Sequence, residues 1–442
     1  MNLHPSDGPY GYDRPLRLRR SSVLLGIFAV LLSLSLITPS LEAQDSTQAK
    51  ADSIAARLER AEEAIKLLQE QLAAESQSSV KTRSRLSLEF NGRVLVTAFS
   101  NSRRVNNVDV PLFVRPDTAN GLPQGGGGMS IRQTQLGLAV TVDRVIGGTF
   151  HGDLDVDFFG GQQPSSGGRT FPLLRLRVAR AQIAWKHGEF LVGQESPLVS
   201  GVNPVSLASI GTPGFVGAGN LWLWLPQVRA GLETGGPLSL GIQGAVLAPS
   251  SGDPQSLFDT DNDIAERSKR PFLEGRVHLK WGSDELAGDI GAGIHRGWFA
   301  TKGDSLLVSD AYTIDARIPL ARWLELRGEG YDGKGMRSLG GGAIGQGFGV
   351  NGGVIRSRGA WGQINLKPSA RVVLGGGYGF DDPRDEDLLP GSRLKNTAVE
   401  GHLHIRPAGP LVIGLEYRRL ATTYAIGKLT NDHLNIAFGF EF

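Results

Sequence analysis

Three carboxylates stand two residues apart at Asp153, Asp155 and Asp157, and a basic series follows at Arg175, Arg177, Arg180 and Lys186. Such spacing allows either cation binding by the acids or a charged wall made by both sets. A D-x-D-x-D run opens a calcium loop only when Gly stands sixth and Glu twelfth. Those positions hold Phe158 and Pro164, which excludes it. Asp259, Asp261 and Asp263 fail the same test at Ile264 and Arg270, although three loop carboxylates keep the capacity to hold a cation. Gly340, Gly342 and Gly345 match a dinucleotide-binding pattern by letters only, because no helical stretch follows them. His402 and His404 share a strand face with Glu400 and carry ligating nitrogens, but as residues of a wet polar face they need no metal. No metal site, cofactor or catalytic nucleophile–base–acid set is therefore assigned, and no enzyme activity is expected. The chain has no Cys, so disulfides and thiolate chemistry are excluded. A formal charge of +2 over 442 residues gives no basic excess for nucleic acid.

The elements that must position these residues have a period of two. In Thr149–Phe158 the three acids, with Thr149 and His151, alternate with Phe150, Leu154, Val156 and Phe158. Leu273, Val277, Leu279 and Trp281 oppose Glu274, Arg276, His278 and Lys280, and Glu400, His402 and His404 oppose Val399, Leu403 and Ile405. One face of each strand is apolar and the other is polar enough to need water. The exception lies near Ala179. Leu174, Leu176 and Val178 face outward, yet the same parity would send Arg180 outward too, so a β-bulge is expected near Ala179–Arg180. It would turn Arg180, Gln182 and Lys186 inward and Ile183 and Trp185 outward.

From Ser84 to Phe442 about sixteen such strands can be read, and their connections alternate between short and long. The short ones are turns such as Asp143, His187-Gly188, Thr234-Gly235-Gly236 and Lys367-Pro368-Ser369, and the long ones include 101–128, 248–270 and 332–352. Transmembrane barrels show this rhythm, with short periplasmic turns and longer external loops. The expected fold is therefore all-β: an antiparallel transmembrane β-barrel of about sixteen strands over residues 84–442. The third long connection, Pro197 to Asn220, has no charged residue. It is the first candidate to fold into the lumen, followed by the Gly-rich first loop. The acids of Asp153–Asp157 and the bases of Arg175–Arg180 fall on adjacent strands. They either pair with each other or are held apart across a constriction. The chain ends on LNIAFGFEF, an alternating strand whose last residue is Phe442. A closed barrel needs such a strand to pair with the first, near Leu86–Phe90.

The first 43 residues have the plan of a secretory signal peptide: Arg14, Arg17, Arg19 and Arg20, an apolar run from Val23 to Ile37, then Leu41-Glu42-Ala43. Residues 44–83 carry a heptad seam at Ala51, Ile54, Leu58, Ala61, Ile65, Leu68 and Leu72. That spacing predicts a short periplasmic coiled-coil helix associating several copies.

GQESPLVSG, LELRGEGYDGKG, LGGGAIGQGFG, RGAWGQINLKPSARVVLGGGYGFDDPRDED and LVIGLEYRRLATTYAIG resemble outer-membrane porins of the porin O/P and DcaP-like groups. The signal peptide, heptad segment and terminal Phe resemble the DcaP-like layout. The resemblance implies sixteen strands, a homotrimer in outer-membrane lipid, delivery to the barrel-assembly machinery through Phe442, and passive diffusion of small, anionic solutes. The dense Arg/Lys ladders of phosphate-selective members are only partly present. Asp153, Asp155, Asp157, Arg175, Arg177, Arg180, Lys186, Arg276, Glu400, His402 and His404 are the expected pore-lining residues. The competing readings are a barrel-anchored enzyme and an adhesive or structural barrel.

Overall fold

The computed structural model describes residues 66, 79–81, 86–119, 121–160, 172–252, 261–303 and 305–442. The signal peptide, the heptad seam and Asp259 lie outside the described residues. The barrel contains sixteen antiparallel strands closed on themselves. They are β1 (Leu86–Asn101), β2 (in two pieces, Gly126–Ser130 and Gln135–Val145), β3 (Gly148–Gly160), β4 (Leu173–Trp185) and β5 (Gly188–Glu195). Then come β6 (Leu225–Glu233), β7 (Leu238–Leu247), β8 (Phe272–Trp281), β9 (Gly288–Ala300), β10 (Leu306–Ala321) and β11 (Leu324–Lys334). The last five are β12 (Arg356–Ser369), β13 (Val372–Pro383), β14 (Lys395–Ile405), β15 (Leu411–Tyr424) and β16 (Gly427–Glu441). Every strand pairs with its sequence neighbour. Among the described residues no helix is long and apolar enough to cross a membrane; this says nothing of strands.

Closure rests on the final strand. β16 pairs with β1 from His433↔Asn101 to Glu441↔Arg93. Phe442 extends the ladder by exchanging backbone hydrogen bonds with Gly92, at 2.9 and 3.0 Å. The contact falls two residues beyond the expected Leu86–Phe90, because β1 overhangs its partner. The overhang is covered by a short strand, Ser79–Lys81, pairing with Ser87–Glu89. It continues the ladder on that side of β1 beyond the end of β16. Leu434, Ile436, Phe438, Phe440 and Phe442 point outward and are 42–55% exposed, whereas His433 and Asn435 are buried inside.

Two strands depart from the simple alternation. Between β3 and β4 the register slips: Asp155 opposes Val178 but Val156 opposes Leu176, leaving Arg177 unpaired. The bulge is present, but at Arg177 rather than at Ala179–Arg180. Val178 is therefore opposite Asp155 and not on the outer face. Downstream the outcome is as expected, with Arg180 paired to Asp153 and Ile183 paired to Phe150. Lys186 is the exception: it lies in the turn after β4 and is exposed. In β2 the ladder breaks at 131–134, where the Thr134 N–H donates to the Ile131 carbonyl. Consecutive strand residues cannot all face one way. The break lets Arg132, Gln133 and Thr134 be buried together.

Closure also constrains side-chain size. A Cβ on Gly439 would stand 1.8 Å from the Val94 carbonyl oxygen, whereas one on outward-facing Gly401 would meet nothing nearer than 3.8 Å. Gly439→Val is expected to destabilise the barrel by about 1–3 kcal/mol and Gly401→Val to leave it unchanged. The temperature at which unheated protein loses its compact electrophoretic form measures both.

Candidate functional site: the barrel interior and its inserted loop

The segment Ser196–Trp224 leaves β5, lies inside the barrel and returns to β6. It is largely buried, with Gly201 and Asn203 exposed. β6 begins at Leu225, and Leu221–Trp224 belong to this loop. An uncharged segment running against a polar wall brings many backbone N–H groups with it, and each needs an acceptor. The wall supplies them from strand after strand. Glu274 on β8 accepts from Leu198 N–H at 2.7 Å. Glu329 on β11 accepts from Ser200 Oγ at 3.3 Å and from Leu221 N–H at 3.2 Å, tying both arms of the loop. Gln363 on β12 both accepts from and donates to the backbone of Val205, at 2.8 and 3.1 Å.

Further round, Glu416 on β15 accepts from Ser206 Oγ at 2.6 Å and from the N–H groups of Leu207 and Ala208. Gln133, released by the break in β2, accepts from Ile210 and Gly211 at 2.8 and 2.9 Å. Glu400 on β14 accepts from Phe215 N–H at 3.3 Å, and the Phe215 ring stacks on Trp361 with centroids 5.5 Å apart. The loop thus follows the inner wall round most of its girth. The first loop also turns inward: Val114 N–H donates to Thr422 Oγ1 at 2.9 Å and Arg418 donates to the Pro111 carbonyl at 3.1 Å. Its Asp109 forms a buried ion pair with Arg132. The Gly-rich segment after β11 covers the inserted loop, with Trp222 and Leu223 N–H bonding the Leu339 carbonyl.

The acidic and basic ladders pair with each other. Arg175 holds Asp157 at 2.6 Å and Arg180 holds Asp153 at 2.8 Å. Arg177, on the bulge, sits 3.7 Å from Asp155 and 3.6 Å from Asp157. Its guanidinium lies 4.8 Å from the ring centre of Trp224, at the end of the inserted loop. Arg276 is shared by Asp289 and Asp315. Glu400 is paired with Arg418. His402 and His404 lie 4.7 Å apart by ring centroids, and His404 bonds Glu416 at 2.9 Å. Among the described residues no group of three or more His, Asp and Glu is arranged to hold a metal. Asp263 caps a turn, accepting from Ser251, Ala265 and Glu266 N–H.

A different cluster escaped the sequence reading. Glu325 on β11 is buried among three cations: Arg317 at 3.0 Å, Arg327, and Lys367 at 3.6 Å. Three bases share one carboxylate, and Arg317 and Lys367 remain 40% and 38% exposed. Arg327 also donates to the Asn203 carbonyl of the inserted loop at 2.8 Å. On β16, Glu441 is shared by Arg93 and Arg406. Across the lumen on β5, Glu189 is bonded by the neutral amides of Gln182 and Gln243. The alternation of Glu325, Arg327 and Glu329 is visible in the sequence. What it hides is that Glu329 is occupied by the loop while Glu325 is outnumbered.

The chain is a closed sixteen-stranded barrel with a charged interior and an inserted loop, and known structures share the barrel fold. No family model and no curated protein matches the sequence. Over 83% of this chain and all of its own length, the outer membrane channel DcaP of Acinetobacter baumannii superimposes with a TM-score of 0.63 at 17% identity. The anion-selective porin from Comamonas acidovorans gives 0.53 at 14% identity, over 81% of this chain and all of its own. OmpF of Salmonella typhi gives 0.51 at 9% identity, over 82% of this chain and all of its own. At these identities the likeness is one of fold.

The loop's attachment is testable without reference to function. Glu416→Ala leaves Ser206, Leu207 and Ala208 without their acceptor, at about 1–3 kcal/mol per buried donor. Amide hydrogen exchange at Leu207 and Ala208 is expected to accelerate by about tenfold or more, with strand amides of β15 unchanged.

Proposed function

We propose that the protein is a passive diffusion channel of a bacterial outer membrane, passing small hydrophilic solutes with a preference for anions. The observation that carries this reading is a closed barrel whose interior is charged and narrowed by a loop held in place from many strands, while its outer surface is an apolar band. Such a lumen sorts solutes by size and charge through a fixed field. The basic excess around Glu325 supports the anion preference, since Arg317 and Lys367 keep exposed charge facing the interior. The paired Asp153–Asp157 and Arg175–Arg180 ladders make a polar wall with little net charge.

Residues 1–43 are read as the signal peptide and 44–83 as a periplasmic coiled-coil segment that helps to join three copies, with barrel 84–442 in outer-membrane lipid and Phe442 presented to the assembly machinery. The unbroken heptad seam in the sequence supports the association. A seam of ~25 residues is marginal alone, so barrel–barrel contact must contribute too. Deleting 51–72 is expected to shift the detergent-extracted protein from trimer toward monomer on native mass measurement.

Planar-bilayer conductance of the purified protein tests the channel itself. Stepwise openings with a reversal potential on the anion side are expected, and a silent barrel overturns the reading. Reversing the cluster by Arg317→Glu with Lys367→Glu is expected to lower the anion-to-cation permeability ratio at least about threefold. An unchanged ratio would remove the Glu325 cluster from the selectivity argument.

A further inference from the structure

The last four strands form a basic depression on the outer surface. Their registers set outward residues side by side in rows. Nearest the long-loop end, Lys395 on β14 faces Thr423 on β15, which faces Lys428 on β16. The next row is small: Thr397 faces Ala421, which faces Thr430. Below it stand Tyr378, Val399, Arg419 and Asp432, again in register. Long side chains above and below a row of short ones leave a groove of about 470 Å³, and Lys395, Arg419 and Lys428 all line it.

Bases outnumber acids around this groove. Asp382 is shared by Arg358 and Lys395, at 3.0 and 3.5 Å. Asp432 meets Arg419 at 3.7 Å and also accepts from the Tyr417 hydroxyl at 2.6 Å. Lys428 is exposed and joins no ion pair among the described residues. In the connection from β13 to β14, Glu386 and Asp387 are taken by Arg356, at 3.0 and 2.7 Å. Toward the short-turn end the same surface becomes apolar and smooth. Gly376 faces Gly401 directly below Tyr378 and Val399, and Leu374, Leu403 and Leu415 follow. A ligand that uses both parts has an anionic head and a hydrocarbon chain. The cations stand at the headgroup level, on the side of the wall that meets lipid and not on the lumen side.

We propose that this groove is a lipid site: Lys395, Arg419 and Lys428 hold a phosphate of a phosphorylated lipid in the external leaflet, and the Gly376–Gly401 strip carries one of its acyl chains. Phosphate suits the set because it offers several strong acceptor oxygens to cations placed around it. Bases gathered at the headgroup level bind anionic lipid, and the gain grows with their number. The small row of Thr397, Ala421 and Thr430 gives the headgroup its room.

The site rests on the outer-membrane placement above, and the test separates the two. Full-length protein in detergent is titrated with diphosphoryl lipid A, and bound lipid is counted by native mass spectrometry. Lys395→Gln with Arg419→Gln and Lys428→Gln is expected to weaken binding at least about tenfold. Arg267→Gln with Lys269→Gln and Lys302→Gln, which removes the same charge from external loops, is expected to leave it unchanged. Asp432→Asn is expected to tighten it, and this variant still decides if the groove variant fails to fold. Equal loss in the two charge-removal variants, no gain from Asp432→Asn, or equal binding of the same lipid stripped of its phosphates overturns the site. Full displacement by excess inorganic phosphate reduces it to an anion site and overturns the lipid assignment. Bilayer conductance of the same preparations is read independently. A silent barrel that still binds the lipid through its phosphate overturns the channel reading alone, and a conducting barrel without such binding overturns this inference alone.

Discussion

An uncharged loop inside a closed barrel has to satisfy its own backbone, and this requirement organises the interior. Ser196–Trp224 carries no ionisable side chain with which to answer the wall, so its peptide N–H groups must find acceptors there. Buried donors without partners cost about 1–3 kcal/mol each, and the loop brings many. Glu274, Glu329, Glu400 and Glu416 with Gln133 and Gln363 meet this need from β2, β8, β11, β12, β14 and β15. The break in β2 belongs to the same requirement, because it turns Gln133 toward the loop. So does the shortness of β5 and β6, since the chain must leave the wall where the loop begins.

That use of carboxylates changes what the remaining charges do. Among the acids that anchor the loop, Glu400 also answers Arg418, whereas Glu329 is bonded by Ser200 and Leu221 of the loop. Asp153, Asp155 and Asp157 are held by Arg175, Arg177 and Arg180 on the next strand. The charge left over is therefore local: three bases about Glu325 and two about Glu441, while on β5 and β6 Glu189, bonded by amides, has Arg229 within its field. A near-neutral chain thus has an interior with local excesses of basic charge. Under the channel reading, selectivity follows from this distribution and not from net charge.

The exterior obeys a separate rule. On β9–β16 charges stand at the end of the apolar band and pair laterally across neighbours, as Arg296 and Lys334 do with Asp310. On the short strands β5 and β6 the outward residues include Phe190, Val192, Val228 and Leu232.

Much of this was written into the sequence. Alternation of apolar and polar residues identified the strands and their faces, because side chains in a strand point to opposite sides in turn. The rhythm of short and long connections identified closure, and the lack of charge in Pro197–Asn220 singled out the loop that turns inward. Even the need for a bulge before Arg180 was legible, since parity alone would have exposed that guanidinium. Its position was not: Arg177 takes it because register depends on the partner strand β3. Lys186 was assigned to the wall by the same parity and falls in a turn. Above all, periodicity marks Glu325, Glu329 and Glu416 as equivalent inward acids. Only the tertiary structure decides that two of them hold a loop and one is surrounded by cations, because the loop lies more than a hundred residues from Glu329 and Glu416 in the chain and Lys367 reaches Glu325 from the next strand.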